Sequence, residues 1–113
     1  MYKFDNCTVN LKFKDYVEDT RSDLESMISC FSCSYPDLVE TKETIERGYN
    51  SCMDSIKTRS NELINIACFL SGAEVISIDE CCKNCSYIHS IYEDLYRWVA
   101  KVYVDKVRCL SEY

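Results

Sequence analysis

Residues 63–81 read LINIACFLSGAEVISIDEC, and this stretch decides the fold. Leu63, Ala67 and Leu70 recur at steps of four and three, the rhythm of one helix face. Gly72 is the residue type that closes a helix at its C-terminus. Ser77, followed three positions later by Glu80, has the pattern of a capping box that opens the next helix. Only about six residues join the two, so the flanking helices fold back on each other as an antiparallel pair.

Toward the N-terminus the same apolar face continues through Leu38, Ile45, Tyr49, Cys52 and Ile56. Pro36 suits the first position of that helix, where its missing N–H goes unused, and Asp37 suits the positive end of the dipole. A helix from Pro36 to Gly72 is therefore predicted, with a bend at Gly48, since an interior glycine costs about 1 kcal/mol against alanine. Toward the C-terminus Cys81, Cys85, Ile88, Tyr92, Leu95, Val99, Val102 and Cys109 follow the same rhythm. Asp79 and Glu80 come early and Lys101, Lys106 and Arg108 late, as the macrodipole favours. A first helix is predicted over 15–33 or 20–33, with Thr20/Asp23 and Ser22/Glu25 as capping pairs. Val17, Leu24, Met27, Ile28 and Phe31 supply its apolar face. Upstream, Cys7, Val9, Leu11 and Phe13 alternate like a strand; with no partner strand, residues 1–13 read as an extended arm. The expected fold is all-α: one domain over 1–113, an antiparallel three-helix bundle with two long helices, an extended N-terminal arm and disulfide staples.

Two glycines and one proline in 113 residues argue against tight-turn sheets, zinc knuckles and phosphate-cradling loops. A net charge of −6 with scattered Lys and Arg argues against a nucleic-acid partner. The longest apolar run, 63–70, is too short to span a bilayer, and residues 1–20 lack the basic start and apolar stretch of a signal peptide. Met1 then reads as a cytosolic start or as an initiator placed on a mature secreted chain.

Nine cysteines, at 7, 30, 33, 52, 68, 81, 82, 85 and 109, tip this toward secretion. Around the hairpin, residues whose numbers add to roughly 149 lie opposite each other. Cys68 is thus expected to bridge Cys81, with Cys82 as the alternative. Cys109 falls near Cys30 or Cys33, and Cys7 on its arm near Cys52 or Cys85. Each bridge would add about 3–4 kcal/mol by limiting the unfolded chain. The odd thiol stays free or joins two chains. Asn6-Cys7-Thr8 and Asn84-Cys85-Ser86 fit the N-glycosylation pattern.

Sharper chemistry is weighed against this scaffold. Cys30-x-x-Cys33 and Cys82-x-x-Cys85, with His89 a turn on, carry ligand types for zinc. They lie in helices at opposite ends of the bundle, so structural disulfides are preferred and no metal or other cofactor is expected. His89 has no strained elbow or oxyanion nest around it, and the acid pairs Asp23/Glu25 and Glu93/Asp94 suit solvated faces, so no enzyme is expected. Tyr92, Tyr96, Trp98 and Tyr103 on the last helix are too many large rings to bury against two neighbours, and part of that stripe is a candidate interface.

The size, acidity and helical layout, with Tyr49-Asn-Ser-Cys52 and the Tyr103 to Cys109 spacing, resemble the small disulfide-rich helical proteins in the saliva of blood-feeding insects. The nearest are the mosquito complement and contact-pathway inhibitors of the anophensin type. That resemblance implies an inhibitor that docks onto a host plasma protein complex. The expected function is a secreted protein-binding factor with an extracellular protein partner. Two alternatives are a carrier of a small apolar ligand, with Met27, Phe31, Met53, Phe69 or Tyr92 lining its pocket, and an intracellular zinc-containing adaptor.

Overall fold

A computed structural model describes residues 6–33 and 40–111, with side chains for 8–33 and 40–110. Three helices make up the described residues: α1 (Asn6–Ser32), α2 (Lys42–Gly72) and α3 (Ile78–Ser111). No strand occurs among them. At 1.5 Å per residue the rods are about 40, 46 and 51 Å long. The whole extends over 66 × 22 × 15 Å.

α2 and α3 form the antiparallel hairpin the sequence predicts, and they are the most extensively packed pair. The phenol of Tyr92 donates to the Ile56 carbonyl oxygen at 2.6 Å, and the Tyr49 and Tyr103 rings stack with centroids 4.6 Å apart. α1 lies alongside both. It runs antiparallel to α2, with Asp23 paired to Arg59 at 3.5 Å, and parallel to α3, with Asn10 donating to Glu80 at 3.3 Å.

The N-terminal arm is corrected: residues 6–14 belong to α1, which makes three long helices instead of two. Phe13 is buried beside Val17, Leu24 and Ile28, while Leu11 is exposed. Phe13, Val17, Thr20, Leu24 and Ile28 sit three or four apart on one face. Thr20 and Ser22 therefore cap nothing. Thr20 is buried in mid-helix, its hydroxyl donating to the Tyr16 carbonyl at 2.9 Å.

The start of α2 is corrected as well. Thr41 is extended, with φ −107° and ψ 162°, so the helix opens at Lys42 and not at Pro36. Thr41 Oγ1 accepts from the Thr44 amide at 3.2 Å, and Thr44 Oγ1 accepts from the Thr41 amide at 2.9 Å. These reciprocal bonds satisfy N-terminal amides that would otherwise lack partners. Residues 34–39, with Pro36, Asp37 and Leu38, lie outside the described residues.

α2 continues through Gly48, whose absent side chain makes room for Phe31: a Cβ there would fall 2.7 Å from the Phe31 ring. At the other end of α2, Ala73 is the C-cap, and the left-handed residue beyond it is Glu74, with φ 60°. Gly72 does not carry the reversal. α3 opens as expected, the Glu80 amide donating to Ser77 Oγ at 3.1 Å. The second half of the capping box is replaced by a tertiary contact: the Glu80 carboxylate accepts from Asn10 on α1.

The core is one seam along the bundle. Phe13, Val17, Leu24 and Ile28 meet Cys52, Ile56, Leu63 and Ala67, and both rows meet Ile88, Tyr92, Leu95 and Val99. No described buried side-chain nitrogen or oxygen lacks a hydrogen-bond partner.

Candidate functional site

The hairpin geometry brings three cysteines together. Cys68 in the last turns of α2 faces Cys81 in the first turn of α3, and Cys85 stands one turn beyond Cys81 on the same flank. Their three Sγ atoms all lie within 4.8 Å of one another. Cys68 is at the solvent edge, while Cys81 and Cys85 are half-buried. Burial, followed by the neighbouring thiols of Cys81 and Cys68, pushes the Cys85 thiol up to about 11. No disulfide joins these three to one another or to the other described cysteines, 30, 33, 52, 82 and 109.

Three sulfurs within reach can do two things. Two of them can join as one inter-helix disulfide, which leaves the third beside it; or all three, once deprotonated, can converge on a thiophilic cation. The expected opposition of Cys68 and Cys81 is present in the register. The membership of Cys85 is new, and its signal was the four-residue step from Cys81. Cys82 points away and is exposed.

The remaining cysteines are dispersed. At the far end Lys106 Nζ lies 3.5 Å from the Cys33 carbonyl oxygen, so the end of α1 and the last turns of α3, which carry Cys109, meet there. Cys30, Cys33 and Cys109 are exposed in that region. The two C-x-x-C pairs are thus about 30 Å apart along the bundle and cannot share a metal. Cys52 is 2% exposed in mid-seam, and burial alone raises its thiol pKa.

The side chain of Cys7 lies outside the described residues. Its backbone, however, is in the first turn of α1, which the Asn10–Glu80 contact brings to the start of α3. The expected pairing of the Cys7 sulfur with Cys52 or Cys85 lies outside the described residues. Asn84 of the second glycosylation pattern is 6% exposed, its amide nitrogen donating to Asn10 at 3.4 Å, so it faces the bundle.

The tyrosine stripe divides. Tyr92 is core: its phenol is bonded to the Ile56 carbonyl, and burial raises its pKa, with Tyr96 adding to the effect. Tyr96 and Trp98 are half-buried against the core, and Tyr103 is half-buried against Tyr49. His89 is exposed, its ring 6.4 Å from that of Tyr92, and it stands outside the three-sulfur group.

The largest exposed apolar side chains lie elsewhere. Phe69 is 73% and Ile78 76% exposed, on either side of the hairpin connection, and Leu11, Ile66 and Tyr87 stand in the same half of the bundle. The side chains considered for an apolar pocket do not surround one space. Phe69 projects at the hairpin end, whereas Phe31 fills the gap over Gly48 at the other. The groove between α1 and α2 is open, with Leu24 and Met27 flanked by Asp23, Asp54 and Arg59. No helix among the described residues is long and apolar enough to cross a membrane.

No protein-family model, curated protein or solved structure matches the chain.

Proposed function

We propose that this chain is a protein-binding module that docks by the hairpin end of a solid helical rod. The observation that carries this is the concentration of large exposed apolar side chains there, led by Phe69 and Ile78. Isolated surface apolars are ordinary, but protein contacts draw their energy from large apolar anchors that leave water together. The filled seam supports surface recognition over a carried ligand. Tyr96, Trp98 and Tyr103, each half-buried, form a secondary candidate face.

The fuller form of the proposal is a secreted factor stapled by bridges from Cys68 to Cys81 and from Cys109 to Cys33 or Cys30, supported by the cysteine density and by the meeting of these helix ends. The resemblance to salivary inhibitors adds a partner class: a plasma protein of the complement or contact cascade.

The test compares wild type, Phe69→Ser/Ile78→Ser and Tyr96→Ala/Trp98→Ala in one binding series. Immobilised chain is exposed to plasma, the bound protein is identified, and the pair is rebuilt from purified components. Loss of 1:1 binding by the Phe69/Ile78 variant, with retention by the other, is the expected result. Retention by the Phe69/Ile78 variant refutes the hairpin-end placement. Purified chain that leaves complement and contact activation unchanged refutes the inhibitor form alone.

A further inference from the structure

We propose that Cys68, Cys81 and Cys85 form a binding site for one thiophilic divalent cation, zinc in the first instance, which ties the end of α2 to the start of α3. This does not depend on docking by the hairpin end, but it takes the place of the Cys68–Cys81 bridge in the secreted form, since the same two sulfurs cannot be both a disulfide and metal thiolates.

The geometry carries it. A zinc ion with Zn–S bonds of about 2.3 Å holds tetrahedral sulfurs about 3.8 Å apart. The three Sγ atoms already lie within 4.8 Å of one another, so side-chain rotation of under about 1 Å per sulfur closes the set. Two donors come from one helix at a four-residue step, which puts both on one flank, and the third comes from the facing helix. That is cross-element ligation, and it acts as a clamp. A disulfide engages only two sulfurs and leaves the third thiol in place, whereas a cation uses all three.

The character of the donors fits the same chemistry. Three thiolates select soft or borderline cations over magnesium or calcium, which demand oxygen. No carboxylate or imidazole belongs to the group. Each ligating thiol gives its proton to water as its S–metal bond forms, and no electron changes hands. Three sulfurs would leave a tetrahedral cation one further position, for water or for a donor brought by another molecule.

Reduced, metal-free protein is titrated with Zn(II), and with Co(II) as the spectroscopic probe. One equivalent should bind, and the cobalt form should show the intense sulfur-to-metal charge-transfer absorption of thiolate ligation. Cys68→Ser, Cys81→Ser and Cys85→Ser should each weaken binding by more than about tenfold, the loss expected at a ligand position. Cys30→Ser, Cys109→Ser and His89→Ala should bind as wild type does. Cys68 is exposed, so its substitution leaves the seam intact, and unchanged helical circular dichroism of the metal-free variant verifies this. Absence of a bound equivalent in the reduced chain, or undiminished binding by a helical Cys68→Ser variant, overturns the proposal. So does a Cys68 disulfide to Cys81 or Cys85 in protein from its natural setting.

Discussion

Lys106 is the residue whose placement most departs from its composition class. It is 7% exposed in the last third of α3, where a lysine complements the helix dipole while remaining in water. Instead its ammonium pairs with Glu40, lies 5.6 Å from the Phe31 ring centroid and approaches the Cys33 carbonyl oxygen. One side chain thus ties the end of α1 and the approach to α2 onto α3. Removing one partner of a buried pair strands the other charge, while removing both charges can be near neutral. Glu40 is partly exposed, which reduces the effect. Glu40→Ala should cost about 1–2 kcal/mol in urea unfolding, and Lys106→Met less than about 1 kcal/mol. A Lys106→Met variant less stable than Glu40→Ala would show that the charge itself holds this end. Tyr92 gives a second test. Its pKa is raised in the fold by burial above the ordinary value of about 10. The stability it contributes is therefore complete below about pH 10 and declines as pH rises above it, toward the higher folded value. Tyr92→Phe should cost about 1 kcal/mol at pH 7 through the lost bond to Ile56. The gap to wild type should narrow at pH 10.5, where the wild-type phenol has begun to oppose folding; a gap that stays constant would show that the phenol is no better protected than in the unfolded chain.

At the scale of the elements, the α2–α3 hairpin was legible because its signals agree: an unbroken apolar rhythm on both sides, a short connection and Ser77 placed to cap. The C-terminus of α2 was legible in position but not in device. Glycine is the cheapest residue in the left-handed region, so Gly72 drew the assignment, yet Glu74 adopts that conformation. Glu74→Gly should relieve that strain and, net of the greater unfolded freedom of glycine, stabilise the protein by roughly 0.5 kcal/mol. A fall in the thermal midpoint would mean that the Glu74 side chain makes a contribution larger than its backbone strain. The beginnings of α1 and α2 were not legible, for different reasons. Val9, Leu11 and Phe13 alternate over too short a window to separate strand from helix, and the helical period emerges only when Phe13 is read together with Val17 and Thr20. At α2, Pro36 supplied a stronger textual cue than Thr41, whose partner Thr44 stands where a capping box usually has Glu or Gln. The three-cysteine site was half legible: facing registers predict Cys68 with Cys81, but Cys85 enters only once side chains on two helices have directions. Phe69 lies off the face of Leu63, Ala67 and Leu70, so its exposure follows from the helical period, whereas Ile78 is in step with Cys81 and Cys85 and is exposed as the first residue of α3.

At the scale of the molecule, shape links the thin seam to the exposed hairpin end. A compact chain of this length has a radius of gyration of about 13 Å, whereas this one has 18.1 Å. Its accessible surface of 8036 Å² likewise exceeds the roughly 6,400 Å² expected of a compact protein of 13.2 kDa. Three side-by-side rods bury a stripe from each helix and nothing deeper, so the ends, where only the turn covers the seam, expose apolar side chains first. The charge pattern favours the extended form: surface pairs such as Arg21 with Glu25 and Arg97 with Glu93 run along single helices and place no demand on folding back. Small-angle scattering of the monomer should therefore give a radius of gyration near 18 Å and a maximum dimension near 66 Å. A value near 13 Å would mean that α3 breaks and packs on itself, which would bring the Cys33–Cys109 end toward Cys68 and remove the rod on which end-on docking depends. An elongated particle whose radius is unchanged by zinc, but whose hairpin amides exchange more slowly with the metal bound, would place the clamp locally at the α2–α3 turn and leave the rod itself to side-chain packing.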